Sequence, residues 1–146
     1  MILVENRRVR FDYEILAEME AGISLEGWEV KSLRGKSANL KGGWITIRNG
    51  EAFMENVSIS PWKFSNTIQD KKRSRKLLLK KAEIEKLENK LNEQGVTLVP
   101  YSIFTKGQHI KCQVCAVRGK RKYEKREVIK NRDAQKKAQQ VMKNWS

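Results

Sequence analysis

The chain has 146 residues, which is enough for one domain with its own core and for a short additional segment. Its formal net charge of +14 and its pI near 10.0 favour a polyanionic partner, nucleic acid first and an anionic membrane surface second. Because no apolar run approaches the length of a membrane-spanning helix and no secretory signal is recognisable, we expect a cytoplasmic protein with two reduced cysteines.

The first half of the chain has the pattern of short strands around one short helix. Alternating apolar residues in VRFDYEILAEMEAGI, 9–23, predict a strand, and SLEGWEVKSLRG, 24–35, predicts a helix. The runs WITIR and EAFMENVSIS predict a hairpin, because the Asn49-Gly50 pair between them suits a turn that needs two positive φ angles. The alternation of the second run shifts between Met54 and Val57, which is typical of a bulge.

The second half predicts one more strand, one longer helix and a final hairpin. RKLLL, 75–79, is interpreted as a buried strand; the alternative is that one of its leucines is exposed and packs on a partner. KAEIEKLENKLNEQG, 81–95, predicts an amphipathic helix that ends at a left-handed Gly95, and 96–119 predicts two strands joined at Lys106-Gly107. Together these elements predict an α+β, mainly β, fold: a small antiparallel OB-like barrel with flanking helices and a basic C-terminal tail.

The basic residues are concentrated in two blocks. Residues 71–81 contain seven Lys or Arg and no acid, and residues 106–146 contain thirteen against three acids. A solvated surface is the ordinary interpretation of such runs. Here Trp62, Phe64 and Tyr123 accompany the charges, and aromatic side chains stack on unpaired bases while cations meet phosphates. The pattern therefore favours structured RNA with unpaired loops.

Catalytic and metal sites find little support in the sequence. Cys112 and Cys115 of CQVC point to opposite faces of a strand and cannot hold one ion together, so we interpret them as buried or half-buried thiols. The one histidine, His109, has no nucleophile near it in sequence, and the carboxylates of residues 12–29 lack the spacing of a Mg²⁺ site. We therefore expect a protein that is not an enzyme and that has no metal and no cofactor.

Six segments follow one another in the order and spacing of one bacterial family: ENRRVRFDYEI, EAGISLEGWEVKSLR, NGEAF, RSRKLLL, LVP and RGKRKYEKREVIKNRD. In these segments the chain resembles the SsrA-binding (small protein B, SmpB) family of transfer-messenger-RNA-binding proteins. The resemblance implies an OB-like RNA-binding barrel domain over residues 1–119. It also implies a basic tail over residues 120–146 that is disordered when free and helical on the ribosome.

The function implied by the resemblance is that of a non-enzymatic adaptor of trans-translation. Such an adaptor binds the tRNA-like domain of transfer-messenger RNA and delivers it to stalled ribosomes for rescue and peptide tagging. The implied partners are transfer-messenger RNA and the small-subunit RNA of the ribosome, and indirectly elongation factor Tu and alanyl-tRNA synthetase. We expect a monomer that does not bind membranes.

The resemblance also implies which residues bind RNA. Asn6, Glu20 and Leu78 match family positions of the RNA-binding face, where Glu20 would accept hydrogen bonds from guanine or cytosine amino groups or orient an arginine. With the basic residues near them, the predicted RNA-binding residues are Asn6, Arg7, Arg8, Glu20, Lys31, Arg34, Arg73, Arg75, Lys76 and Leu78. The tail residues predicted to reach the ribosomal decoding centre are Gly119, Lys120, Arg121, Tyr123, Lys125, Arg126, Val141 and Met142.

Two alternatives and one departure from the family stay open at this point. A general basic ribosomal or RNA-chaperone-like protein would coat RNA by charge and would show little discrimination between RNAs. A membrane-surface protein anchored by the tail is disfavoured, because the apolar face of the tail is thin. Gln69-Asp70-Lys71 stands where relatives usually have His-Asp-Pro, which leaves open whether this loop contacts RNA.

Overall fold

The computed structural model describes residues 1–62 and 69–119. Three helices lie among nine strands in this part of the chain. In chain order the elements are β1 (Ile2–Glu5), α1 (Arg8–Asp12), β2 (Tyr13–Ile23), α2 (Gly27–Arg34), β3 (Ala38–Asn39), β4 (Trp44–Arg48), β5 (Glu51–Glu55), β6 (Ser58–Ile59), β7 (Arg75–Leu78), α3 (Lys81–Leu91), β8 (Val96–Lys106) and β9 (His109–Gly119).

Seven of the strands form one antiparallel sheet in the order β1-β8-β9-β2-β7-β5-β4, and β3 pairs with β6 in a second, two-stranded sheet. The large sheet curls until β4 lies against β8. Gly43, just before β4, marks this close approach, because a Cβ built there would lie 2.5 Å from Val57 Cγ2 and 3.3 Å from Pro100 Cγ. Among the described strands no pairing joins β1 to β4, so the OB-like barrel is open. The mainly β, antiparallel prediction is confirmed.

The concave side of the sheet carries the main core. Side chains with almost no solvent exposure fill it, among them Leu33, Leu40, Ile45, Met54, Val57, Ile59, Leu77, Leu98, Ile103 and Val114. Helix α3 adds Leu87 to this core, as its apolar spacing predicts. A smaller cluster of Val9, Val99, Tyr101, Cys115 and Val117 lies on the other side of the sheet, beneath α1.

The predicted strand over 9–23 is correct only from Tyr13 onward. Residues Arg8–Asp12 form the short helix α1. The apolar residues 9, 11, 13 and 15 alternate as in a strand, but the backbone N–H of Val9 bonds to the Asn6 carbonyl in a turn at 3.2 Å. That turn places Val9 in the smaller cluster, so tertiary packing decides against the strand pattern here.

The hairpin at Asn49-Gly50 is confirmed, since the φ angles of these residues are 53° and 75°. The predicted bulge after Met54 is instead a break in the strand. Asn56 has a φ of 57° and its Nδ2 donates to the Gly42 carbonyl at 3.0 Å. The chain thereby leaves the large sheet and pairs as β6 with β3.

Helix α3 ends earlier than the sequence pattern predicts. Asn92 is its C-cap, and Gly95, with a φ of 75°, lies in the turn that leads into β8. The final hairpin β8–β9 turns at Gly107, as predicted. The predicted tail, 120–146, lies outside the described residues, so its disorder and its ribosome-bound helix stay predictions. No helix in the described part of the chain is long and apolar enough to cross a membrane.

Candidate RNA-binding surface

The convex, outer face of the sheet can be traced from strand pairing, because directly paired residues project to the same side. One row of outward side chains crosses five strands through Ile2, Phe104, Lys111, Gly22 and Leu78. The neighbouring row runs through Glu5, Ser102, Gln113 and Glu20. The pairing therefore brings Glu20 and Leu78 to the same face of the sheet, although 58 positions separate them in sequence.

Leu77 and Leu78 have opposite environments on β7. Leu77 is 1% exposed and belongs to the core, whereas Leu78 is 54% exposed and is one of the few large apolar side chains that face solvent. Strand alternation separates the two residues, since successive side chains point to opposite faces. Interpreting RKLLL as a buried strand is therefore correct for Leu77. The alternative of an exposed leucine is correct for Leu78.

Glu20 lies near Leu78 in the second half of β2 and forms an ion pair with Lys106, the last residue of β8. The Lys106 Nζ is 3.0 Å from Glu20 Oε2, and both side chains are about half exposed. An exposed pair of this kind contributes about 0–1 kcal/mol, so it holds the carboxylate only weakly. The Glu20 carboxylate is therefore available to exchange Lys106 for another hydrogen-bond donor.

Two grooves flank the ridge formed by Gly22 and Leu78. The first, termed the cationic groove, has a volume of about 480 Å³ and lies between α2 and the tip of the β8–β9 hairpin. Its lining residues are Gly22, Ile23, Leu25, Val30, Arg34, Leu78, Gln108, His109, Ile110 and Lys111. The second, termed the mixed groove, is lined by the carboxylates of Glu20, Glu51 and Glu83 and by the amines of Lys76, Lys80 and Lys111, among others.

Four of the predicted RNA-binding residues meet at these grooves. Glu20, Lys76 and Leu78 line the mixed groove, and Arg34 joins Leu78 in the cationic groove. Lys31 is exposed on α2 but lines neither groove. The grooves thus unite residues of α2, β2 and β7 that the resemblance suggested separately.

Asn6, Arg7 and Arg8 lie in a different part of the fold. The Asn6 backbone N–H donates to the Tyr101 carbonyl in the middle of β8 at 2.8 Å. The guanidinium of Arg7 pairs with Glu5 at 3.0 Å, and that of Arg8 pairs with Asp12 at 3.5 Å. Because β8 and β9 separate β1 from β2, these residues are not brought to the grooves. Whether they contact RNA stays a prediction.

The prediction that Arg75 contacts RNA is wrong, because its side chain is fully buried. Its Nε donates to Glu29 Oε2 at 2.5 Å, its NH1 to the Val57 carbonyl at 2.7 Å and its NH2 to the Lys71 carbonyl at 2.9 Å. Arg75 has the same strand parity as Leu77, so it points inward. The basic block RSRKLLL therefore contributes a structural ion pair as well as surface charge.

Glu29, the partner of Arg75, is also fully buried and accepts several hydrogen bonds. Burial alone raises the pKa of Glu29, but hydrogen bonds from Arg73, from the Glu26 backbone and from Arg75 outweigh it and hold that pKa below its usual value. Arg73 is about one-third exposed and pairs with both Glu26 and Glu29. The guanidinium of Arg73 is thus engaged by two carboxylates of the protein, which leaves it less available to bind RNA.

Sequence reasoning missed the contribution of the β8–β9 hairpin to this surface. Lys111 lines both grooves, His109 lines the cationic groove and Lys106 pairs with Glu20. The signal was present, because residues 106 and 109 pair across the turn and 109 and 111 then share one face of the strand. The sequence alone does not show whether the face that carries residues 106, 109 and 111 points outward or into the core.

The two cysteines are buried thiols, as predicted. They belong to different apolar clusters on the two sides of β9. Burial raises the pKa of Cys112, and burial together with the charge of Glu18 raises the pKa of Cys115 to about 11. Within the described residues no group of three or more His, Cys, Asp or Glu side chains is arranged to hold a metal ion.

Comparison with known proteins identifies the family of the chain. The sequence profile of the SmpB protein family matches residues 3–144. The SsrA-binding protein of Enterococcus hirae is 41% identical to the chain over 146 residues, covering 99% of this chain and 95% of that protein. The SsrA-binding protein of Chlorobaculum tepidum is 46% identical over 145 residues, covering 97% and 92% respectively.

A solved structure is also similar to the described fold. It is described as "tmRNA-SmpB: a journey to the center of the bacterial ribosome", and it superposes with a TM-score of 0.70 at 41% sequence identity. The superposition covers 87% of this chain and 94% of that one. The family profile, the relatives and the solved structure agree over nearly the whole sequence, and the chain therefore belongs to the SmpB family of SsrA-binding proteins.

Proposed function

We propose that this protein is a non-enzymatic RNA-binding adaptor of trans-translation. It binds the tRNA-like domain of transfer-messenger RNA and delivers that RNA to stalled ribosomes for rescue and peptide tagging. The observation that carries the proposal is the exposure of Leu78 on the outer face, beside Glu20 and between two grooves that contain cations. Leu78 is 54% exposed, so more than half of its apolar surface is free to pack on a partner.

The chemistry of the surface suits folded RNA with unpaired bases. An exposed apolar side chain packs on the face of an unstacked base, and lysine and arginine neutralise phosphates. Glu20 adds selectivity, because a carboxylate accepts hydrogen bonds from the amino groups of guanine or cytosine and repels phosphate. RNA that binds by charge alone would gain nothing from either Leu78 or Glu20.

The partners follow from the same proposal. Transfer-messenger RNA and the bacterial ribosome are named with the similar solved structure, and we extend them to this chain. Elongation factor Tu and alanyl-tRNA synthetase are proposed as indirect partners through the same RNA, and a ribosomal partner supports a cytoplasmic location. One copy of the outer face offers both grooves without a second subunit, which supports a monomer.

The adjacent leucines of β7 provide a matched test. Leu78→Ala removes an exposed side chain, so we expect the urea midpoint to be unchanged and the affinity for a transcript of the tRNA-like domain to fall about tenfold or more, which corresponds to about 1.4 kcal/mol. Leu77→Ala removes a core side chain and should cost about 2–5 kcal/mol of stability instead. Wild-type affinity in a folded Leu78→Ala variant would sink the proposal.

Competition separates an adaptor from a protein that coats RNA by charge. The net charge of +14 alone supports binding to any RNA, with an affinity that falls steeply as salt rises. An adaptor retains a preference for the tRNA-like domain of transfer-messenger RNA over bulk tRNA at physiological salt. Equal displacement by both RNAs would favour the general RNA-coating function.

The tail is proposed to act on the ribosome after the RNA is bound. Ending the chain after Gly119 leaves every described strand and helix in place. We therefore expect the truncated protein to bind the RNA with nearly unchanged affinity and to fail in a peptide-tagging assay on stalled ribosomes. If truncation abolished RNA binding as well, the division between residues 1–119 and the tail would be wrong.

A further inference from the structure

We propose that Glu51 is a specificity-determining residue, whose carboxylate neutralises Lys76 so that RNA held by charge alone gains no phosphate contact there. This inference rests on the proposed function and deepens it, because it names a residue that disfavours other RNAs on a protein with a net charge of +14. Specificity requires elements that disfavour the wrong partners as well as contacts that favour the right one.

Of the two grooves, the mixed groove carries the carboxylates. None of the residues that line the cationic groove is Asp or Glu. The mixed groove has as many carboxylates as amines: Glu20, Glu51 and Glu83 against Lys76, Lys80 and Lys111. These charges cancel, although the protein as a whole is strongly positive. A phosphate that approaches by charge alone is therefore not drawn into the mixed groove.

Among the described carboxylates of the mixed groove, Glu51 is the one that pairs with a cation of the same groove. Its Oε2 is 3.3 Å from Lys76 Nζ, and the two side chains are about half exposed. Glu20 pairs instead with Lys106, outside the groove, and Glu83 accepts a hydrogen bond from the N-cap backbone of α3 at 2.8 Å. A phosphate that binds Lys76 must therefore displace Glu51, and the freed carboxylate then repels it.

Strand pairing holds Glu51 beside Lys76. Lys76 of β7 lies directly opposite Phe53 of β5, and Glu51 precedes Phe53 by two residues, so the three side chains share the outer face. Such a diagonal pair is within reach of long side chains. The turn at Asn49-Gly50 and the pairing of β5 with β4 hold the backbone of Glu51 in place. The ion pair therefore joins two strands whose register is fixed.

The ion pair affects two classes of RNA differently. RNA that binds by charge alone takes many orientations, and each cation without an acidic partner is a further phosphate contact for it. The RNA of the proposed function is oriented by Leu78 and Glu20, so its set of phosphate contacts does not depend on whether Lys76 is paired. Glu51 therefore lowers the affinity for other RNAs more than the affinity for the cognate RNA.

The first experiment measures the salt dependence of affinity for a transcript of the tRNA-like domain and for bulk tRNA. In Glu51→Gln we expect the salt slope for bulk tRNA to steepen by about 0.7–0.9, the value of one added phosphate contact, and the slope for the transcript to stay unchanged. The preference for the transcript should fall by up to about fivefold, the limit for an exposed ion pair.

Glu85→Gln is the control of equal charge. Glu85 is exposed on α3, lines neither groove and forms no ion pair with another described residue. Its substitution should affect both RNAs alike and leave the preference unchanged. Urea midpoints close to that of the wild type are expected for both variants, because both side chains are exposed, and they exclude misfolding as the cause of any change in affinity.

The second experiment tests whether Glu51 acts through Lys76. In the Lys76→Met background the carboxylate has no cation to neutralise, so adding Glu51→Gln should change the affinity for bulk tRNA no more than Glu85→Gln does. Lys76→Met alone should leave the salt slope for bulk tRNA at its wild-type value, because the paired lysine contributes no contact. A shallower slope in Lys76→Met would mean that the lysine is not masked and would overturn the inference.

The outcomes separate this inference from the proposed function. If the wild type prefers the transcript and Glu51→Gln retains that preference in full, Glu51 does not determine specificity and the adaptor function stands. Equal effects of Glu51→Gln and Glu85→Gln, or a full effect of Glu51→Gln in the Lys76→Met background, would also overturn the inference. If the wild type has no preference for the transcript, the proposed function itself fails.

Discussion

Replacing Arg75 by methionine is expected to destabilise the fold rather than to remove an RNA contact. The guanidinium is fully buried and makes three hydrogen bonds, to the Glu29 carboxylate and to the carbonyls of Val57 and Lys71. Methionine fills much of the same volume but donates no hydrogen bond. The substitution thus removes this donor from the Val57 carbonyl, which is buried, and from the Lys71 carbonyl, which still accepts from the Ile59 N–H at 2.8 Å. It also removes a cation from the buried carboxylate of Glu29.

The size of the effect follows from these contacts. Breaking a buried ion pair by removing one partner costs about 3–5 kcal/mol, and each buried acceptor left without a partner accounts for about 1–3 kcal/mol of such a loss. Arg73 still bonds to Glu29 in the variant, which favours the lower end of the range. A small domain has about 5–15 kcal/mol of stability in total, so the loss is a large fraction of that stability.

Urea denaturation followed by tryptophan fluorescence measures this cost, since Trp28 is buried. With a slope of about 1–2 kcal/mol per molar urea, a loss of about 3 kcal/mol lowers the midpoint by about 1.5–3 M. Lys76→Met is the matched control: it is the next residue on β7, it also loses one positive charge, and its ion pair with Glu51 is exposed. We expect that control to change stability by no more than about 1 kcal/mol.

Two results would refute this reasoning. Arg75→Met and Lys76→Met could have the same urea midpoint, which would mean that the buried ion pair contributes no more than a surface charge. Alternatively, Arg75→Met could fold as stably as the wild type and lose RNA affinity alone, and Arg75 would then be an RNA contact. Measuring the affinity only for variants whose midpoint is known keeps the two cases apart.

Three further predictions concern the interior of the fold. The pKa of Glu29 is held below its usual value of 4.5, so its ion pairs stabilise the protein fully above about pH 4.5 and lose this contribution as the pH falls further. The urea midpoint of the wild type should therefore fall between pH 7 and pH 3, and that of Glu29→Gln should fall less steeply. With a pKa of about 11, Cys115 is about one-thousandth thiolate at pH 8, so a thiol reagent such as DTNB should label the native protein far more slowly than the urea-unfolded protein, and a fast native phase would contradict its burial. Gly43→Ala should cost about 1–3 kcal/mol, because its Cβ would lie 2.5 Å from Val57 Cγ2, whereas Gly27→Ala, with nothing within 4 Å, should be neutral or stabilising in thermal unfolding.

The elements of this fold follow from local sequence signals where those signals are strong. The Asn49-Gly50 turn, helix α3 and the final hairpin were predictable because turn chemistry and hydrophobic period act within a few residues. The helix at Arg8–Asp12 was not, because its apolar spacing also suits a strand. Only the cluster beneath Val9, formed by residues of β8 and β9, decides between the two.

The candidate site was predictable in its residues but not in its arrangement. The family resemblance indicated Glu20 and Leu78, and strand pairing was needed to show that they share a face. Arg75 illustrates the opposite error, since it lies in the same basic block as Lys76 yet points inward. Charge composition gives no information about strand parity, so it cannot distinguish a structural arginine from one that meets a phosphate.

The strand pairing of the outer face affects how the protein folds during its synthesis. The row of outward side chains runs through Ile2, Phe104, Lys111, Gly22 and Leu78, which come from both ends of the described chain. Residues 13–22 of β2 pair with residues 111–119 of β9, so the surface around Gly22 is incomplete until nearly the whole barrel has been synthesised. A nascent chain that stops before β9 has no cationic groove and no partner for β2, and such long-range pairing forms slowly. The candidate RNA-binding surface therefore forms only late in translation, and a copy of the protein truncated before β9 would lack it.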